Sequence, residues 1–171
     1  MSILVKPPTA AIESDSYSWN AWFNQLYKHV TNPITRLHLS ASQTGLVSGV
    51  NTQIAFDVVD IDTHTHWSLT TFQHQPLISG YYRYYCMATI IETASNNHVR
   101  ELQIVKNGAP TAVTTHMVSN GDTMHSIMAE DILMMNGTTD YVEFYIYHDS
   151  GADKSLLNSL FTIATVNKVS G

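Results

Sequence analysis

From about residue 45 onward, apolar residues recur with a period of two. Ile54, Phe56 and Val58 alternate with Gln53, Ala55 and Asp57, and Tyr82, Tyr84 and Cys86 with Tyr81, Arg83 and Tyr85. Leu102 and Ile104 alternate with Glu101, Gln103 and Val105, and Val142, Phe144 and Ile146 with Tyr141, Glu143, Tyr145 and Tyr147. Residues two apart on a strand share a face, so each run predicts a strand with one side inward. Phe161 and Ile163 open a last apolar run towards Val169. Asn107-Gly108, Asn120-Gly121 and Asn136-Gly137 offer the positive φ angles of tight hairpins. The stretch Met124 to Met135 fits two elements: a helix with Met128, Ile132 and Met135 along one side, or a sandwich strand.

A helical period occurs once with conviction. Trp19, Trp22, Phe23, Leu26, Tyr27 and Val30 fall on one face of a helix over 18–30, which Ser16 or Ser18 can cap and Asn32-Pro33 stops. Before it, Lys6-Pro7-Pro8-Thr9 reads as an extended arm. The expectation is an all-β chain, with an antiparallel β-sandwich or barrel over 41–171, preceded over 1–40 by an arm and one amphipathic helix.

Composition supports the strands. Only 13% of the 171 residues are charged, too few for long solvated helix faces. With 44% hydrophobic residues the chain is also a poor candidate for disorder. Fourteen acidic against eight basic residues give a net charge of −6, which disfavours a phosphate-neutralising nucleic-acid face. No apolar run approaches the roughly 18 residues that cross a bilayer, so no membrane insertion is expected. Ile3-Leu4-Val5 is too short for a secretory core, so synthesis in a cytoplasm is expected. Cys86 is the sole cysteine, which excludes an intrachain disulfide.

Candidate chemistry is sparse. On a strand, His64 and His66 of Asp62-Thr63-His64-Thr65-His66 would point to one side and could share a metal, with His74 nearby. A cupin-type enzyme needs a carboxylate a few residues on, yet the next one is Glu92, so solvated or interface histidines are the plainer expectation. Cys86 reads as a small core residue, and Asp140 and Glu143 fall on opposite faces of a strand. Asp149, Asp153 and the carbonyls of Ser150-Gly151 form a loose Ca²⁺ set, with a plain polar loop favoured. Asn136-Gly137-Thr138 matches a glycosylation acceptor but reads as a turn. No nucleophile elbow, zinc-protease motif, phosphate loop or dinucleotide fingerprint occurs, so no catalytic residue and no cofactor is expected.

Two rows of aromatic residues occupy the faces opposite the apolar ones: Tyr81, Arg83 and Tyr85, and Tyr141, Tyr145 and Tyr147. Partial burial under a loop and a subunit interface rich in Tyr and Arg both account for them.

The order of segments resembles the tumour-necrosis-factor-like jelly roll and the complement-head domains within it. The resemblance rests on Gln53-Ile54-Ala55-Phe56-Asp57, Thr71-Phe72, Gly80-Tyr81-Tyr82-Arg83-Tyr84, Leu102 to Lys106-Asn107-Gly108, Thr139-Asp140-Tyr141-Val142 and Ser159-Leu160-Phe161. It spans about 53–166, with Tyr84 in a Phe place and Thr139 in a Gly place. It implies a homotrimer around an axis and no catalytic centre; a metal ion on that axis or in a loop is conceivable. The arm and the Trp-x-x-Trp-Phe helix resemble the start of bacteriophage tail-fibre and other virion proteins. Together these imply a non-enzymatic phage structural protein located in the virion. Its helix face (Trp19, Trp22, Phe23, Leu26, Tyr27, Val30) would dock on other virion proteins, and its loops would meet a host glycan or receptor. A capsid decoration, a cupin-like metalloenzyme using His64 and His66, and a cellular carbohydrate-binding module are the alternatives.

Overall fold

The structure, a computed structural model, describes residues 22, 32–91, 98–118, 124–158 and 161–170. Every element among them is a strand: β1 (Ile34–His38), β2 (Gln43–Leu46), β3 (Thr52–Gln53), β4 (Val58–Asp62), β5 (Trp67–Ser68), β6 (Gln73–His74), β7 (Gly80–Ile91), β8 (His98–Lys106), β9 (Ala109–Val118), β10 (Met124–Met135), β11 (Val142–His148), β12 (Lys154–Leu156) and β13 (Ile163–Ser170). Helical geometry occurs among the described residues only at Trp22 and, as a 3-10 turn, at Phe161. Of the helix expected over 18–30 only Trp22 is included; the arm, Trp19, Phe23, Leu26, Tyr27 and Val30 lie outside.

The strands form two antiparallel sheets. A seven-stranded sheet runs β2-β12-β7-β13-β1-β4, with β10 on the other edge of β7. A six-stranded sheet runs β5-β6-β11-β8-β9, with β3 also against β11. The chain crosses between layers repeatedly: β7 lies in one, β8 and β9 in the other, β10 in the first, β11 in the second, and β12 and β13 in the first again.

The period-two pattern explains why these layers meet. Tyr82, Tyr84, Cys86, Ala88 and Ile90 of β7, Leu102 and Ile104 of β8, and Val142, Phe144 and Ile146 of β11 are all fully buried. Phe56 joins them, packing edge-on against both Trp67 and Phe144 at centroid distances of 6.2 and 5.8 Å. Cys86 sits in this core, where burial pushes its thiol pKa up and out of the reactive range.

One open expectation is decided in favour of the strand, and several others are corrected. Met124 to Met135 is a strand of 12 residues paired with β7 along its whole length. Met128 and Ile132 face outward and Met135 inward, so the three do not share one side. The run 53–58 is not one strand: Ile54 and Phe56 lie in the crossing from β3 to β4, where the Ile54 N–H donates to the Phe144 carbonyl at 2.8 Å. In the last run the inward residues are Ala164 and Val166, while Phe161 is exposed. Only Asn107-Gly108 is seen as a two-residue hairpin, with φ of 51° and 80° and Lys106 opposite Ala109. Asn136-Gly137 instead carries the chain from one sheet to the other, and Asn120-Gly121 lies outside the described residues. Asn136 Oδ1 accepts the N–H groups of Thr138, Thr139 and Asp140 there, holding Asp140 in a loop off the strand.

Candidate binding surfaces

The outer face of the seven-stranded sheet is apolar. Outward residues of β7 and β10 oppose each other as Tyr81 with Met134, Arg83 with Ile132, Tyr85 with Glu130, Met87 with Met128, and Ile91 with Met124. On the other side of β7, Ile163 continues the Met87 row and Asn167 the Arg83 row, with Ile34 beyond Asn167. Met128 and Ile132 are each 54% exposed and Met124 57%. Ion pairs interrupt the face: at its centre the Arg83 guanidinium donates from Nε and Nη2 to the two oxygens of Glu130, both bonds at 2.8 Å, and towards β4 the Arg36 Nε lies 3.5 Å from Asp60. A solvated pair of this kind adds little stability but neutralises the only full charges in the centre of the patch.

The outer face of the six-stranded sheet is different in kind. Alternation along β11 turns Glu143, Tyr145 and Tyr147 outward. Gln53 of β3 and Gln103 of β8 flank Tyr145, while Val105 and Glu101 lie opposite Glu143 and Tyr147. Gln53 and Gln73 each donate an amide N–H to Glu143 Oε1 at 3.0 Å, which fixes a carboxylate only 8% exposed. Burial, then the nearby Glu143 and Tyr141, raises the pKa of the Tyr145 hydroxyl. The six residues expected at one subunit interface therefore divide: Tyr81, Arg83 and Tyr85 lie on the apolar face, Tyr145 and Tyr147 belong to the opposite sheet, and Tyr141 sits in the loop just before its β11.

The histidines do gather, but not as a strand pair. Strand β4 ends at Asp62, and the chain turns through Thr65 at φ 57°. Asp62 ties the turn by accepting the Trp67 N–H at 2.8 Å. The rings of His64 and His66 are 5.4 Å apart, those of His66 and His74 5.5 Å, and His74 lies 5.5 Å from Tyr84 and 5.9 Å from Tyr82. His66 Nε2 accepts the Leu77 N–H at 3.2 Å, and His74 Nδ1 lies 3.1 Å from the Tyr84 hydroxyl. Burial drives the pKa of His66 down to about 4 and that of His74 to about 3. Among the described residues of one chain, no group of three or more His, Cys, Asp or Glu side chains could hold a metal. In the loose Ca²⁺ set, Asp149 Oδ1 accepts the Val99 N–H at 2.6 Å.

No protein-family model matches the chain, and no curated protein matches it. Solved structures do. Murine APRIL at pH 5.0 superposes with a TM-score of 0.58 at 10% identity, over 81% of this chain and 100% of that one. The pH 8.5 crystal structure of murine APRIL gives 0.56 at 10% identity, with the same coverage of both chains. The fold is a tumour-necrosis-factor-like jelly roll. The globular domain of zebrafish complement 1qA is also similar, at 13% identity and a TM-score of 0.49, over 81% of this chain and 96% of that domain.

Two sets of surface residues escaped the sequence reading. Met124, Met128 and Met134 become a surface only once β10 is known to be a strand in register with β7. Gln53 and Gln73 are far from Glu143 in sequence, and only the placement of β3 and β6 beside β11 brings them together. The signal available was the outward phase of β11, which carries two tyrosines and one carboxylate.

Proposed function

We propose that this chain is a non-enzymatic assembly and attachment module. Three copies pack through the outer faces of their seven-stranded sheets. The segment 1–40 fixes the trimer to a bacteriophage particle, as part of a tail fibre or receptor-binding structure, and the opposite sheet looks outward to the host. The apolar face around Met124, Met128, Ile132 and Met134 supports this reading most directly. A patch with this many large exposed side chains on one sheet is unfavourable in a solitary domain and calls for a partner. The self-neutralised Arg83–Glu130 pair lets copies approach without net repulsion. The test is the mass in solution: three chains of 19.1 kDa give about 57 kDa. Imaging of particles with and without residues 1–31 then tests attachment. A single-chain species at micromolar concentration overturns the assembly, and unchanged attachment of the truncated protein overturns the anchor.

A further inference from the structure

The polar face of the six-stranded sheet has the chemistry of a carbohydrate site. We infer that it binds neutral, hydroxyl-rich glycans, with Glu143 and Tyr145 at its centre. The inference rests on the reading that this sheet faces outward in the trimer.

Three observations carry it. First, Glu143 is nine-tenths buried, and among the described residues it forms no ion pair and only its Oε1 is engaged, by the two glutamine amides. Its other oxygen is open to solvent, where vicinal sugar hydroxyls can replace water as donors to a carboxylate already fixed in place. Second, Tyr145 and Tyr147 stand two residues apart on one face, roughly 7 Å along the strand. Their hydroxyls, and that of Tyr141, make no hydrogen bond among the described residues. Half-buried tyrosines of this kind offer an apolar ring for the C–H face of a pyranose and a polar tip for its hydroxyls. Third, the charge of the face selects the ligand. Glu143 and Glu101 project from it, and no Lys or Arg does among the described residues. Arg100 is turned into the interior, and Lys106 is held at the rim by the Met134 carbonyl at 2.6 Å and by Asp140 at 3.0 Å.

That charge excludes other occupants. Sialylated or sulfated glycans would bring anions against uncompensated carboxylates. A second copy laid face to face would oppose Glu143 and Glu101 with their own equivalents. A cationic peptide remains complementary, and its binding would weaken with salt, whereas binding of a neutral sugar would not.

The full chain should be screened at neutral pH against immobilised neutral hexose and N-acetylhexosamine oligosaccharides beside sialylated and sulfated ones, with mass measured on the same preparation. Binding is expected to neutral members alone and to persist at about 0.5 M salt. Tyr145→Ala and Glu143→Gln should each weaken it at least tenfold, and Tyr145→Phe, which removes only a hydroxyl, should weaken it measurably. A preparation with the mass of three copies that binds no neutral glycan overturns the inference and leaves the assembly intact. So does equal binding by Tyr145→Ala, or binding that vanishes with salt. Glycan binding by a single-copy species would sink the assembly instead.

Discussion

Acid should unlock this fold through His66 and His74. The two imidazoles are 3% and 1% exposed, and each is held well below its ordinary pKa of 6.5, at about 4 and about 3. Burial is the main cause for both; for His74 the neighbouring His66 adds to it, and for His66 Asp62 works in the opposite direction. The other titratable groups facing the pair are His64, Tyr82 and Tyr84. A histidine with a depressed pKa contributes stability that is complete above pH 6.5 and is withdrawn as the pH falls towards the folded value. Each group loses about 1.4 kcal/mol per pH unit in that window, so moving from pH 6.5 to 5 removes about 2 kcal/mol per histidine, or about 4 kcal/mol together. Against a typical stability of about 5–15 kcal/mol this is a large fraction. The lowered carboxylates Asp57, Glu130 and Asp140 act only below about pH 4, so the window isolates the histidines. Urea unfolding followed by circular dichroism at pH 7.5, 6.0 and 5.0 measures the slope. His74→Phe, which keeps a ring beside Tyr84, should remove about half of it. Equal stability of the wild type at pH 7.5 and 5.0 would refute the reasoning, and so would an unchanged slope in the variant.

Other outcomes follow from the same geometry. Met128→Glu combined with Ile132→Glu should convert the assembly to folded single chains, seen as a fall in mass with the strand spectrum retained. Phe144→Ala empties the contact with Phe56 and should cost about 3–5 kcal/mol in urea unfolding. Gly137→Ala sets a Cβ at φ 75° against the backbone of Ser79, and should lower the melting temperature by several degrees. Chelation with EDTA should leave melting unchanged, because the described residues bring no three metal ligands together.

Most of the layered architecture was legible because burial and strand phase coincide in β7, β8 and β11. Tyr82, Tyr84, Phe144 and Ile146 declare their direction by alternation alone. Legibility failed where the chain changes sheets. Ile54 and Phe56 keep a two-residue rhythm while crossing from one layer to the other, since a short extended bridge buries alternate residues as a strand does. It failed again in β10, where both faces carry Met and Ile: one packs inward and the other forms the exposed patch, so no contrast marks the period. For the histidines, proximity in sequence correctly implied proximity in space. The turn at Thr65 places the rings differently from a strand and buries His66, which composition could not disclose. The glutamine-held carboxylate was invisible because its partners are 90 and 70 residues away along the chain.

The position of β13 governs when the domain can come together. Residues 163–170 lie between β7 and β1, which do not pair with each other directly. During synthesis β1, with its partner β4, must therefore wait, unattached to β7, until residues 163–170 have left the ribosome. The methionine-rich flank of β7 and β10 stands open throughout that interval. A nascent chain stalled before residue 163 is thus the form most exposed to chaperones and to clumping with its neighbours.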